Sequence, residues 1–315
     1  MTSSTPVSTP FDARTTAAEV VRGVDLTGRR AIVTGGGSGI GVETARALAA
    51  AGAEVTLAVR RPDSGRVAAA DITGTTGNER VLVAPLDLAD QHSVAAFVAS
   101  WAGPLHILVN NAGIMASPLM RTPQGWEMQF ATNHLGHFAL ATGLRPALAA
   151  AGGARIVSVS SSAHLRAAVD FDDTHFHRRP YEPWTAYGQS KTANVLFAVE
   201  ATRRWADDGI RTNALMPGGI RTNLQRYVTE EELARLRAAS GGSAAPSWKT
   251  PEQGAATSVL VAASPLLDGV SGRYFEDRQQ AGLNQPGTRT GVAAYALDPE
   301  AAQRLWQVSE ETLRG

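Results

Sequence analysis

Tyr187-Gly-Gln-Ser-Lys191 sets a phenol and an ammonium four residues apart, a pair that can work together on a proton. The segment has a helical pattern, and a spacing of four puts both side chains on one helix face. A lysine ammonium there lowers a nearby phenol's pKa from about 10 toward the working pH, which suits a general acid or base. Composition sharpens the point: of 29 basic residues, only Lys191 and Lys249 are lysines. A compact ammonium is kept at 191, where arginine's flat fork would fit poorly, while Lys249, beside Trp248, reads as a solvated charge. Taken alone, the same spacing also occurs on ordinary exposed helices.

A second group lies upstream in Thr34-Gly-Gly-Gly-Ser-Gly-Ile-Gly41, between an apolar run and a helical pattern. Glycine there permits positive φ and close approach of a ligand, and the following helix N-terminus favours a phosphate. An ordinary glycine-rich turn is the alternative. The next apolar run ends Leu57-Ala-Val-Arg-Arg61 with no carboxylate, so Arg60 is the candidate contact for a ribose 2′-phosphate, with Arg61 and Ser38 as helpers. An exposed arginine pair competes with that reading.

These groups need a frame. Apolar runs at 30–34, 54–59, 80–84, 105–110, 155–160, 211–216 and 272–275 alternate with helical patterns at 40–51, 90–101, 124–150, 184–208 and 252–264. The alternation predicts one α/β, Rossmann-type doubly wound domain with a seven-stranded parallel sheet over residues 25–315. Residues 1–24, rich in Ser, Thr and Pro, read as a flexible arm. Arg61–Asn78, Asp170–Pro183, Ala238–Thr250 and Glu276–Ala296 read as loops.

Composition excludes several functions. With no cysteine, disulfides and thiolate metal sites are ruled out. With 29 acidic residues against 29 basic ones, there is no excess charge for nucleic acid. No apolar run reaches the ~18–20 residues of a membrane span, and a cytoplasmic protein is the default expectation. His175, His177 and the aspartates at 170, 172 and 173 lie close together in sequence, but a loop without a rigid frame makes a poor metal cage, so no metal is expected.

In order along the chain, the glycine loop, Asp87-Leu88, Asn110-Asn-Ala-Gly113, Asn133, Ser160-Ser161, Tyr187-x-x-x-Lys191 and Pro217-Gly218 resemble the short-chain dehydrogenase/reductase family. Asn133-His-Leu-Gly-His-Phe138 and Ala186–Asn194 look like its retinol-dehydrogenase-like branch. The resemblance implies a nicotinamide cofactor held by Gly35, Ser38, Gly39, Ile40, Gly41, Asp87, Leu88, Asn110, Ala112, Gly113, Tyr187, Lys191, Pro217, Gly218 and Thr222. With Arg60, that cofactor reads as NADP(H) over NAD. Tyr187 would supply the proton, Ser161 would orient the substrate oxygen, Lys191 would hold the nicotinamide ribose, and Asn133 would anchor a relay water. The substrate would be an aldehyde, ketone or alcohol, met under an apolar lid at 219–250 carrying Leu224, Tyr227, Val228, Leu233, Leu236 and Trp248. A homodimer or homotetramer is implied, although a tail helix at 299–313 could cover the faces used. Alternatives are a catalytically silent NADP-binding regulator, a sugar-nucleotide epimerase or dehydratase, and an interaction protein.

Overall fold

The computed structural model describes residues 6–232 and 248–315. Its sheet contains β1 (Arg30–Thr34), β2 (Glu54–Val59), β3 (Val81–Pro85), β4 (Ile107–Asn110), β5 (Arg155–Val159), β6 (Arg211–Met216), β7 (Tyr274–Glu276) and β8 (Gln279–Gln280). The order is β3-β2-β1-β4-β5-β6-β7-β8. The first seven strands pair in parallel; β8 adds an eighth, antiparallel to β7, through a two-residue turn the pattern did not reveal. Chain order reverses between β1 and β4, and ligands of such sheets bind at the carboxyl ends beside that reversal. Register brings Thr34 level with Ala58, and Asn110 level with Ser158, along that edge.

Helices cover both faces: α1 (Ala17–Val20), α2 (Ile40–Ala50), α3 (Pro62–Thr76), α4 (Gln91–Ser100), α5 (Met128–Phe130), α6 (Gly136–Gly143), α7 (Arg145–Ala150), α8 (Pro183–Arg204), α9 (Pro251–Ala263) and α10 (Pro299–Arg314). Helix α3 occupies the stretch expected to be a loop. Its two glycines and three threonines weaken the pattern, but Pro62 opens it and Gly77, left-handed at φ 70°, ends it. The expected helix at 124–150 is interrupted by a π-turn, Ala131–Leu135, which carries Asn133. Gly136 follows because a Cβ there would lie 2.2 Å from the Leu88 carbonyl oxygen.

Within the described part of the N-terminal segment, residues 6–24 are docked, correcting the flexible arm. Thr9 N donates to Gln279 Oε1 (2.9 Å) and Thr9 Oγ1 to the Arg278 carbonyl (2.8 Å). Ala17, Val20 and Val21 are buried in the same apolar cluster as α2 and α9. These partners are about 270 residues away in sequence, beyond the reach of a local pattern.

Helix α10 lies along α8. Trp306 packs among Phe138, Phe197 and Trp205, and Ala302 and Leu305 meet Phe130, Leu135 and Leu196. No described helix is long and apolar enough to cross a membrane.

Candidate active site

A cavity of about 1610 Å³ runs along the carboxyl edge of the sheet. It exceeds the ~1,000 Å³ upper range for one small ligand, leaving space for a dinucleotide and a second molecule.

The glycine loop lines one stretch of it. Gly35 (φ 66°) and Gly39 (φ 59°) take the left-handed conformation that a Cβ disfavours. Gly39 caps α2 without a side-chain hydrogen bond, so the amides of the first turn remain available to an anion. Gly35, Ser38, Gly39 and Ile40 reach the cavity wall. Gly41 does not: it shapes the loop, since a Cβ there would sit 2.4 Å from the Gly35 oxygen. Arg60 and Arg61 line the cavity at the end of β2, with Ser64 beside them. Both arginines are exposed.

Asp87, Leu88, Ala112, Gly113, Pro217, Gly218 and Thr222 also line the cavity. Asp87 additionally accepts the Ala89 N–H (3.0 Å), so it serves its own turn as well. Asn110 does not reach the cavity. Its side chain is buried in β4 with both polar atoms unpartnered, and Asn111 lines the wall instead. Asn111 Nδ2 donates to the Thr34 carbonyl (2.7 Å), tying β4 to the start of the glycine loop.

Ser161, Tyr187 and Lys191 share one wall. Helix α8 starts where it does because the Glu182 carboxylate accepts the Trp184 and Thr185 N–H groups and Pro183 fixes the first turn. Ser160 and Ser161 both line the cavity and differ in their partners: the Ser160 hydroxyl donates to the Lys191 carbonyl (2.7 Å), while Ser161 bonds Tyr187. Asn133 lies behind the wall. Its Nδ2 donates to the Ile114 carbonyl and Ser190 Oγ, both at 2.9 Å, and its Oδ1 accepts the Ile114 N–H (2.9 Å).

The profile of the short chain dehydrogenase family matches residues 29–233. The chain belongs to the short-chain dehydrogenase/reductase family. It is 60% identical over 300 residues to "Probable oxidoreductase" of Streptomyces antibioticus, covering 92% of this chain and 99% of that one. Human retinol dehydrogenase 12 is 39% identical over 293 residues, covering 92% and 88%. A Beutenbergia cavernae structure, described as an NAD(P)-dependent gluconate 5-dehydrogenase with bound NADP at low occupancy, superposes with a TM-score of 0.64 at 29% identity. It covers 80% of this chain and 95% of that one. This short-chain dehydrogenase/reductase is therefore an oxidoreductase of a family that binds a nicotinamide cofactor, and the uncapped first turn of α2 fits the phosphates of such a group.

Electrostatics in this short-chain dehydrogenase/reductase differ from the sequence expectation. Burial pushes the Tyr187 phenol up to about 12, and the Ser161 hydrogen bond lowers it only in part. Burial pushes Lys191 down to about 7. Lys191 Nζ donates to the Val159 carbonyl at 3.0 Å and lies 5.8 Å from the Tyr187 ring centroid, so desolvation outweighs the attraction between the two groups.

Lys249 is not a solvated charge. It pairs with Asp277 and donates to the Pro217 carbonyl (3.2 Å), passing under Gly218, where a Cβ would meet its Nζ at 2.7 Å. Of the expected lid, Leu224, Tyr227 and Trp248 line the cavity, and Val228 packs beside Leu224 against the Tyr187 cluster. Leu233 and Leu236 lie outside the described residues. Sequence reading missed the cavity residues Arg14, Met115, Arg166 and Trp184, which come from separate segments without a motif. In the 170–177 segment, Asp173 accepts the His177 and Arg178 N–H groups and His175 Nδ1 accepts that of Glu127, so these side chains serve the segment's own fold.

Gly188 sets the spacing between the serine and the tyrosine. A Cβ on it would lie 2.7 Å from the Ala163 carbonyl oxygen. Gly188→Ala is expected to push the serine segment off α8 and lower kcat about tenfold or more, since catalysis tolerates little misplacement. Steady-state kinetics on the folded variant check this, and wild-type kcat would refute the spacing role.

Proposed function

We propose that this enzyme reduces the carbonyl group of an apolar aldehyde or ketone with NADPH, or runs the reverse oxidation of a primary or secondary alcohol. The observation carrying this reading is that Ser161, Tyr187 and Lys191 share one wall of a cavity whose far side, across β4 and β1 at the end of β2, holds Arg60 and Arg61. The nicotinamide group, when bound, supplies or takes up the hydride. Tyr187, protonated at neutral pH, passes its proton to the developing alkoxide. The Ser161 oxygen accepts the Ala163 N–H (3.1 Å), which orients its hydroxyl, and the hydroxyl donates to the same substrate oxygen. Lys191 would hold the nicotinamide ribose. Gly35, Ser38, Gly39 and Ile40 would hold the phosphates. Asn133 would support the wall from behind.

The choice of NADP rests on Arg60 and Arg61 at the β2 end, where no carboxylate stands to accept a ribose hydroxyl. Among the described residues neither arginine has an ion pair. A charge-assisted contact is worth about 1.5–3 kcal/mol, so Arg60→Ala is expected to raise KM for NADPH roughly 10- to 100-fold and leave that for NADH nearly unchanged. Equal use of both cofactors by the wild type would overturn the assignment. Met115, Leu165, Trp184, Leu224 and Tyr227 line the substrate side, which suits an apolar molecule. NADPH oxidation across a panel of aldehydes and ketones of graded hydrophobicity tests it; no turnover of any would reject the reductase reading.

A further inference from the structure

We propose that His164 is a positioning residue for Ser161, and that the segment after β7 acts on the reaction through it. This rests on the reading of Ser161 as the hydroxyl that meets the substrate oxygen.

His164 lies in the 3-10 turn Ser162–Arg166 and is fully buried. Its two ring nitrogens do different work. Nε2 accepts the Ala293 N–H at 3.1 Å, so in the neutral ring it bears no hydrogen. The hydrogen is therefore on Nδ1, which donates to the Ser161 carbonyl at 2.6 Å. A second ring proton would set two donors against each other at Ala293, and burial also favours the neutral form. The tail segment thus selects the tautomer that grips the serine backbone.

The main chain of His164 makes a further connection. Its carbonyl accepts Tyr295 Oη at 2.5 Å and Thr192 Oγ1 at 3.1 Å. Thr192 follows Lys191 on α8. One buried residue therefore joins Ser161, the helix bearing Tyr187 and Lys191, and two points of the tail. The Tyr274 ring packs on the imidazole at 4.9 Å and limits its rotation. Ala293 and Tyr295 lie beyond residues 29–233, the part matching the family profile. Because reacting groups lose rate steeply when displaced by about 1 Å, a tether on the Ser161 backbone should be read in kcat.

The test is a double-mutant cycle measuring kcat, KM, cofactor Kd and Tm. S161A alone is expected to lower kcat tenfold or more. H164Q can still accept the Ala293 N–H but lacks the Nδ1 donor, and is expected to lower kcat about tenfold with cofactor Kd unchanged. H164N places an amide donor near the Nδ1 position, so it loses several-fold less kcat than H164Q even where its Tm falls further. On the S161A background, H164Q is expected to have almost no further effect on kcat. Y295F, which deletes only the bond to the His164 carbonyl, gives a second cycle, with a few-fold loss absent from S161A. Multiplicative losses in both cycles, or equal kcat losses in H164Q and H164N that track Tm, overturn the positioning role. Wild-type kcat in S161A overturns the Ser161 reading itself, a result distinct from multiplicative losses in an impaired S161A.

Discussion

Tyr187→Phe is expected to lower kcat by about 10²–10⁴-fold, the usual value of positioned acid–base assistance. The substitution removes one oxygen and little else. The ring packs with Met115, Ala116 and Ala163 and makes an edge contact with Trp184 (6.1 Å), all of which phenylalanine can keep. The lost hydroxyl bonds Ser161, which faces the cavity and keeps the Ala163 N–H. Tm and cofactor affinity should therefore stay near wild type while turnover collapses. That pattern separates a missing proton donor from a damaged pocket. Near-normal kcat in Tyr187→Phe would remove the proposed chemistry altogether.

The second large effect is acid instability beginning near pH 6.5, above the ordinary carboxylate range. Burial lowers His134 to about 3 and His137 to about 4, from 6.5. Both folded-state values are depressed, so below pH 6.5 the unfolded chain binds protons that the folded chain refuses. The contribution of these two histidines is complete above 6.5 and falls as pH drops toward the folded values. At pH 5 each residue accounts for roughly 2 kcal/mol, a large part of a typical 5–15 kcal/mol total. His134 is packed between Phe130 and Phe138 and bonds Ser309 Oγ at 2.8 Å. His137 bonds Thr34 Oγ1 (2.8 Å) and the Asn133 carbonyl (3.0 Å), with Lys191 adding a repulsive charge. Glu127 opposes the trend, because burial raises its carboxyl. The comparison is therefore wild type against His134→Gln, in which Glu127 cancels and the Ser309 bond can survive. Denaturant titrations from pH 6.5 to 5 should show an acid slope shallower by one histidine's share, roughly a third or less, because His137, His164 and His175 are also held down by burial and are common to both proteins; an unchanged slope would clear His134 of the effect.

Sequence legibility followed the distance between partners. The glycine loop, the arginine pair and Tyr187–Lys191 each lie in a few consecutive residues, and periodicity alone places them on a strand end or helix face. The β1, β2 and β6 bounds match their apolar runs for the same reason. The resemblance points to Asn110, whereas Asn111 lines the cavity, because β4 is short and its last alternation is not visible in the letters. Lys249 looked solvated because its partner, Asp277, is 28 residues away. The pKa values of Tyr187 and Lys191 depend on how deeply α8 sinks against β5, which spacing does not encode.

Helix α10 has a bearing on assembly. It covers the flank of α8 with residues of the same chain, held by the rings around Trp306 and by the His134–Ser309 bond. Any other molecule seeking that flank must first displace a tethered competitor, whose effective local concentration reaches millimolar values for short links. The chain thus supplies in cis a surface that could otherwise be filled in trans, and self-association along α8 would require the tail helix to leave.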